Sequence, residues 1–287
     1  MLTATDLHIR DAGPDDAEAC GRIFYDAFAA IAHGHGFPVE PGSPEFTAFH
    51  ARLMLSLDGV VRVVAERDGT VVGCGFADVR SSIAGIGPVT VDPAEQDAGV
   101  GRRLMEALLE RTRGAAGVRL VQTAYHARSL ALYAKLGFVV REPLSVLQGA
   151  PLRGGVPGLG VRLARPDDVP ACDALCRRVH GHDRSDELRG AVAAGTAWIV
   201  ERPDRISGYA SGFGYGWHAV ADGNDDLQAL IASAETFIGL GILVPSRNAT
   251  LLRWCLDNGL RLVQQSTLMT VGLYNEPQGA WLPSIVY

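Results

Sequence analysis

Two glycines directly before a helix are the first residues from which chemistry can be inferred. The stretch QDAGVGRR places Gly99 and Gly101 where an amphipathic helix begins. Backbone N–H groups at a helix start are unpaired, and the helix dipole makes that end partly positive. Glycine is required where a side chain would collide with a bound group. The loop therefore predicts a site where an anion such as a pyrophosphate approaches the backbone. The residues of this loop and helix start are Gln96, Asp97, Ala98, Gly99, Val100, Gly101, Arg102 and Arg103.

Two common nucleotide-binding loops do not fit this stretch. A P-loop needs Gly-Lys-Ser/Thr, whereas Arg102 follows Gly101 here. A dinucleotide-binding fingerprint needs a third glycine, where this chain has Leu104, and an acid about 20 residues further on. The strand that follows carries no acid at a suitable place. Both nucleotide-loop types are therefore excluded.

A β-branched strand followed by Gln-x-x-Gly-x-Gly resembles the acetyl-CoA signature of the GCN5-related N-acetyltransferases, the GNAT family. A second stretch, HARSLALYAKLGF, is similar to the family motif Asn-x-x-[Ala/Ser]-x-x-Leu-Tyr-x-x-x-Gly-Phe. Ser129 and Tyr133 match that motif, while His126 stands where the family usually has Asn. The resemblance extends over residues 7–148.

The resemblance implies acetyl-CoA as the cofactor and assigns roles to the matching residues. The loop would hold the pyrophosphate, with Arg102 and Arg103 adding positive charge. His126 and Ser129 would contact the cofactor arm. Tyr133 would give a proton to the leaving thiolate, although taken alone it also fits a half-buried core tyrosine. The strand residues that would hydrogen-bond the pantetheine amides, as an added strand does, are Val89, Thr90 and Val91.

The acceptor amine must lose a proton before it attacks, because a primary ammonium has a pKa of about 10. No single base stands out among Glu66, Asp78 and Asp92. In this family the acceptor pocket is built by the segment after the first helix, which is predicted here over 15–31. That segment is irregular and rich in glycine and proline, and its candidate substrate-binding residues are His33, His35 and Phe37.

The chain contains an internal repeat. IRDAGPDDAEAC, starting at Ile9, is answered by VRLARPDDVPAC, starting at Val161, and AERDGTVVG is answered by VERPDRISG. Two matches in the same order indicate two copies of one α/β (α+β) fold. The prediction is two tandem GNAT-like domains, each a mixed twisted sheet flanked by helices. They would span residues 1–150 and 159–287, joined by a glycine- and proline-containing linker at 151–158.

The second copy is predicted to be degenerate. Its alignment on the first places Asn248 at His126 and Cys255 at Tyr133, and it has no Gln-x-x-Gly-x-Gly. Asp225 and Asp226 begin the corresponding helix, and their charges would repel a pyrophosphate. We expect one cofactor per chain. An unrelated α/β domain is the alternative interpretation of this half.

The C-terminal stretch GAWLPSIVY is too apolar for a solvated tail. We expect it to pack as an edge strand of the second sheet or in a cleft between the copies. Some tandem GNAT enzymes place their terminal carboxylate in the active site as a base. Tyr287 is therefore a candidate substrate-site residue, with a purely structural tail as the alternative.

Composition restricts the remaining function classes. The chain of 287 residues has 32 acidic and 26 basic side chains, which does not suit a nucleic-acid binder. Its five cysteines lack zinc spacing, so no metal is expected. No signal core or apolar span of roughly 18–20 residues is present, so no membrane association and a cytoplasmic location are expected.

The sequence therefore predicts a cytoplasmic, acetyl-CoA-dependent N-acetyltransferase. It would move an acetyl group to the primary amine of a small molecule by direct attack, as a monomer or homodimer. The alternative is a non-catalytic acyl-CoA-binding sensor or scaffold module.

Overall fold

The computed structural model describes residues 7–39, 42–152 and 158–285. Helices and strands alternate along both halves, as expected for a repeated α/β unit. The strands are β1 His8–Asp11, β2 Val60–Arg67, β3 Thr70–Asp78, β4 Ile83–Val91, β5 Gly117–Thr123, β6 Val139–Gln148, β7 Gly160–Leu163, β8 Trp198–Arg202, β9 Arg205–Ala210, β10 Ala219–Ala221, β11 Ile242–Pro245, β12 Arg261–Gly272 and β13 Ala280–Leu282. The helices are α1 Ala17–His35, α2 Pro44–Ser56, α3 Val100–Arg111, α4 Ala127–Lys135, α5 Val169–His180, α6 Ser185–Ala193, α7 Asn224–Ala232 and α8 Ala249–Asp257.

The strands form two sheets that draw on both halves of the chain. The larger sheet has the order β1-β2-β3-β4-β5-β12-β6-β11, and the smaller one has the order β13-β10-β9-β8-β7. Strand β12 of the second half pairs antiparallel with both β5 and β6. Strand β11 pairs antiparallel with the other side of β6. Each half's fifth strand is therefore bonded to the other half's sixth.

The internal repeat of the sequence is also a repeat of contacts. In each copy an arginine of the first strand holds an aspartate of the following turn and a glutamate of the next strand. The arginine nitrogens lie 2.8 Å from both carboxylates in the first copy and 2.7 Å from both in the second. Hydrogen bonds from the arginine lower the pKa of the aspartate in both copies. The two sets are Arg10, Asp16 and Glu66, and Arg162, Asp168 and Glu201.

The larger sheet is covered by helices on both faces. Side chains along β2 alternate, so that Val63 packs with the α3 side chains Leu104 and Leu108. The adjacent Val64 packs with Cys20 of α1 on the opposite face. A gap within this sheet can therefore be approached from the α3–α4 face and from the α1–α2 face.

Helix α1 runs further than the sequence predicts. It continues past residue 31 to His35, despite Gly34, and ends at Gly36, which adopts φ 72°. The Phe37 N–H donates to the Ala32 carbonyl oxygen at 2.9 Å and closes the helix end. His33 and His35 thus lie in the last helical turn and not in an irregular segment.

The expected packing of the C-terminal stretch as an edge strand is confirmed by β13, which pairs antiparallel with β10. Within the described ranges, no helix is both long and apolar enough to cross a membrane. The same ranges contain no cluster of three or more metal-binding side chains.

Three histidines are buried where α5 meets the smaller sheet. His180 ends α5 and packs edge-on against Trp281, with ring centroids 5.4 Å apart. The His218 Nδ1 lies 2.9 Å from the Glu187 carboxylate. Burial lowers the pKa of all three, and His182 falls to about 4. Their rings are therefore neutral in the folded protein at neutral pH.

These histidines should make the fold sensitive to mild acid. Unfolded histidine has a pKa of about 6.5, so below that pH the unfolded chain takes up protons that the native protein does not. Stability should fall between pH 6.5 and pH 5, by up to about 1.4 kcal/mol per pH unit for each histidine that stays neutral when folded. Urea unfolding at pH 7, 6 and 5 measures this slope, and His182→Gln should reduce it. Equal stability at all three values would contradict the prediction.

Candidate active site

Strands β4 and β5 separate to form a V-shaped gap. They pair in parallel over Ile83–Gly85 of β4, and the described pairing ends there. On its other side β4 stays paired with β3, where Val89, Thr90 and Val91 lie opposite Gly75, Cys74 and Gly73. The β5-facing backbone groups at this end of β4 are therefore available to a ligand. The Thr90 side chain is not, because it is buried, with its Oγ1 3.2 Å from the Cys74 Sγ.

The glycine loop lies between the end of β4 and the start of α3. Asp97 and Gly99 both have left-handed backbone angles, with φ values of 70° and 79°. The Arg103 N–H donates to the Gly99 carbonyl oxygen at 3.2 Å, which is the first helical bond of α3. The N–H groups of Val100–Arg102 precede it and are the donors that a helix start leaves for a ligand. No acidic residue lies in this first turn.

The two glycines of the loop have different reasons to be glycine. Position 99 favours glycine because its φ is positive. A Cβ at Gly101 would meet Val91 and Leu132 side-chain atoms at 3.6 and 3.7 Å, which is ordinary contact. The protein's own packing therefore does not demand glycine at 101, and the close approach of a bound group would explain it.

The arginines that the sequence predicts beside the loop have other partners in the structure. Arg102 lies 3.4 Å from Glu106 on the helix surface. The Arg103 guanidinium donates to the Leu7 carbonyl oxygen at 2.6 Å, before β1. In this arrangement Arg103 is already bonded elsewhere, so its predicted contribution to the loop lacks support from its placement.

Arg128 is the cation that reaches the loop, and the sequence reasoning missed it. It lies in the first turn of α4, 2.6 Å from the Asp97 carboxylate, and its Nη1 is 3.4 Å from the Gln96 Oε1. The Gln96 amide also lies 3.4 Å from the Val91 carbonyl oxygen. The signal available was its position inside the second motif, two residues after His126.

The start of α4 is held by its own polar groups. The His126 carbonyl oxygen accepts from the Ser129 hydroxyl at 3.0 Å and from the Gln122 amide at 2.9 Å. The His126 ring does not cap the helix. Burial lowers its pKa, with further lowering from His35 and Arg128. Ser129 is thus engaged within the protein, while the His126 ring is available to a ligand.

Tyr133 lies on α4 beside the gap. Its ring packs against Phe138 with centroids 6.0 Å apart. Within the part of the chain that the structure describes, no protein group bonds its hydroxyl. Burial raises the pKa of Tyr133 to about 12, so the hydroxyl keeps its proton at neutral pH. It can act as a donor to a group in the gap.

On the opposite face, the end of α1 meets the end of β5. The Phe37 ring stacks on Tyr125, with centroids 4.1 Å apart and planes 8° from parallel. The His35 ring lies 5.2 Å from Tyr125 and 6.3 Å from His126. The structure thus brings three predicted residues together around Tyr125, which the sequence reasoning did not select. His33 is exposed outside this group, and Tyr287 lies outside the described residues.

The carboxylates considered as bases are all ion-paired. Each has a guanidinium partner, and Asp92 also accepts from the Ala94 N–H at 3.1 Å. An acceptor amine would have to displace the arginine in order to reach any of these carboxylates. The pairs are Glu66 with Arg10, Asp78 with Arg80, and Asp92 with Arg22.

In the second copy, protein groups take the places that a cofactor would need. The Asp226 carboxylate is buried at the start of α7, 2.9 Å from Arg202 and 2.6 Å from the Ser207 hydroxyl. Strand β13 pairs with β10 and also contacts β11, so it fills the gap equivalent to that between β4 and β5. In this copy the Asp226 carboxylate therefore lies where a pyrophosphate would bind, and β13 lies where a pantetheine arm would pair.

The motif positions of the second copy are also engaged. Asn248, which aligns with His126, caps α8 by accepting from the Leu251 N–H at 3.2 Å and exchanges hydrogen bonds with Asn224. Cys255, which aligns with Tyr133, is fully buried, and burial raises its pKa to about 12. This copy presents no exposed acid at that position.

Comparisons with known proteins agree with this architecture. Residues 59–140 match the model of the acetyltransferase (GNAT) domain family. An IAA acetyltransferase from Azospirillum brasilense is 35% identical over 94 residues, covering 31% of this chain and 61% of the relative. The chain thus spans less than two thirds of that curated relative.

Solved structures extend the likeness of fold to both halves. A proposed acetyltransferase from Pyrococcus horikoshii superposes with a TM-score of 0.70 at 23% identity, covering 100% of this chain and 95% of that one. A tandem GNAT protein from the clavulanic acid biosynthesis pathway gives a TM-score of 0.57 at 12% identity, covering 93% and 98%. At these identities the likeness shows the fold alone. The first half of the chain therefore contains a region that matches the GNAT acetyltransferase domain, and the whole chain has the two-copy fold seen in a solved tandem GNAT protein.

Proposed function

We propose that this chain transfers an acetyl group from acetyl-CoA to the primary amine of a small molecule, at a single site in the first copy. One arrangement carries the proposal. The open edge of β4, the free N–H groups at the start of α3 and the unbonded Tyr133 hydroxyl converge on the same gap. Each of the three matches a different part of an acyl-CoA: the amide-containing arm, the pyrophosphate and the sulfur.

The residues present fit such a ligand. The edge of β4 at Val89 and Val91 offers the backbone groups that an added strand would use, and pantetheine carries the matching amides. The N–H groups of Val100–Arg102 lie at the N-terminus of α3, and the first turn of this helix has no acidic residue. Such a helix start suits a pyrophosphate. Arg128 lies beside the loop, where its guanidinium is paired with the Asp97 carboxylate.

The chemistry then follows from charge placement. Acetyl-CoA supplies a thioester that an amine can attack directly. Backbone N–H groups at the open end of β4 are placed to stabilise the negative charge that develops on the carbonyl oxygen. The Tyr133 hydroxyl, protonated at neutral pH, donates to the sulfur as the C–S bond breaks.

An amine panel tests the proposal. The protein is incubated with acetyl-CoA and individual primary amines, thiol release is followed, and products are identified by mass. Amine-dependent thiol release with formation of an N-acetyl product supports the proposal. Binding of acetyl-CoA without release for any amine would instead support a sensor or scaffold, and would overturn it.

The second copy predicts the stoichiometry. Because Asp226 and β13 take the places that a second cofactor would need, calorimetric titration should give one acetyl-CoA per chain. Two equivalent sites per chain would contradict this account of the second copy. The predicted cytoplasmic location and the monomer or homodimer state remain predictions.

A further inference from the structure

The imidazole of His35 has a defined protonation pattern. Its Nδ1 lies 2.8 Å from the Ile31 carbonyl oxygen, one turn earlier in α1. A carbonyl oxygen can only accept, so the Nδ1 of the neutral ring carries the hydrogen. The Nε2 then holds a lone pair. The helix backbone thus fixes the tautomer in which the outer nitrogen is a proton acceptor.

His35 lies against the turn between β5 and α4, at one mouth of the gap. It ends α1 on the face opposite to α3 and α4, and its ring contacts Tyr125 at the end of β5 and lies 6.3 Å from His126. The cofactor residues approach the gap from the other face. The side chain is exposed, so a proton taken up there can pass on to solvent.

Other acceptors near the gap are less suited to the task. The three carboxylates considered above are each paired with an arginine. The His126 ring is partly buried, and burial together with nearby positive groups lowers its pKa. His35 combines exposure with a lone pair on its outer nitrogen.

We propose that His35 is the general base of the acetyl transfer, a role that rests on the proposed function. The Nε2 takes a proton from the acceptor ammonium, and the freed nitrogen lone pair forms the new C–N bond. The C–S bond breaks, and the thiolate receives the proton that Tyr133 donates. His35 returns its proton to solvent, the attacking nitrogen loses its second proton to solvent as the amide forms, and Tyr133 is reprotonated from solvent, so that one proton is released for each acetyl group transferred.

The test is His35→Ala, assayed with an amine that the panel identifies. At pH 7 kcat/KM should fall roughly 10²–10⁴-fold, the usual contribution of a positioned base. The loss should shrink towards pH 10, because the free amine becomes abundant without help. Added imidazole should restore part of the rate, while affinity for acetyl-CoA should stay unchanged. His8→Ala, which changes another exposed histidine on the edge strand β1, is the matched control and should behave as the wild type.

The outcomes separate this proposal from the function on which it rests. If the wild type acetylates an amine and His35→Ala keeps its rate and pH profile, the assignment of the base is wrong and the proposed function stands. A loss that is independent of pH and not restored by imidazole also overturns it, because that result indicates a positioning role. If no amine is acetylated, the proposed function is wrong, and so is the assignment of His35 as its base.

Discussion

Replacement of Tyr133 by Phe should reduce turnover roughly 10²–10⁴-fold, the range for a positioned acid, while acetyl-CoA affinity stays nearly unchanged. The hydroxyl makes no bond to a protein group in the described residues, so its loss breaks no internal contact. The ring keeps its packing against Phe138. Steady-state kinetics and calorimetric titration of the same preparation measure both quantities.

Tyr25→Phe is the matched control for that experiment. Tyr25 is a half-buried tyrosine on α1, and loss of its hydroxyl should leave turnover unchanged. A Tyr133→Phe protein that turns over at the wild-type rate would show that Tyr133 only packs. A parallel loss of acetyl-CoA binding would assign it to the cofactor site and not to proton donation.

Gly101→Asp should abolish measurable acetyl-CoA binding. The new carboxylate would lie among the N–H groups at the start of α3, where a pyrophosphate is proposed. Two unit charges 4 Å apart repel by about 4 kcal/mol at an effective dielectric constant of 20, about a thousandfold in affinity. Calorimetry measures the loss, and thermal unfolding checks that the protein is folded.

Gly101→Asn separates charge from shape in this experiment. Asn has nearly the same shape as Asp but no charge, and the space around Gly101 allows a Cβ at ordinary contact distances. We expect the Asn protein to bind more tightly than the Asp protein. If the folded Asp protein keeps wild-type affinity, the loop does not hold the pyrophosphate.

The parts of this molecule that could be predicted from sequence are those that local residues determine. The glycine loop, the helix after it and the motif on α4 are encoded within short stretches, and α3 begins at Val100, where the glycines predict a helix start. The end of α1 was predicted too early because an isolated glycine weakens a helix by about 1 kcal/mol. Here Gly34 lies in the final turn, and the helix end packs against Tyr125, which favours continuation.

Side-chain direction and distant pairing could not be predicted in this way. Arg102 and Arg103 follow the loop in sequence, but their guanidinium groups contact Glu106 and Leu7. Arg128 reaches the loop from a different helix. The insertion of β12 between β5 and β6 depends on residues far apart in sequence, and no periodicity within either strand specifies its neighbour.

The exchange of strands between the two halves makes the first copy depend on the second for its structure. The two strands that pair with β6 are β12 and β11, and both lie after residue 158 in the sequence. A gene shortened to its first half would leave β6 without a partner and β5 as a bare sheet edge. Substitutions in the second copy can remove ligand-binding side chains as long as β11 and β12 keep their backbone hydrogen bonds to β6 and β5. The second copy thus completes the sheet of the first, and deletion of the second half would disrupt the first half as well.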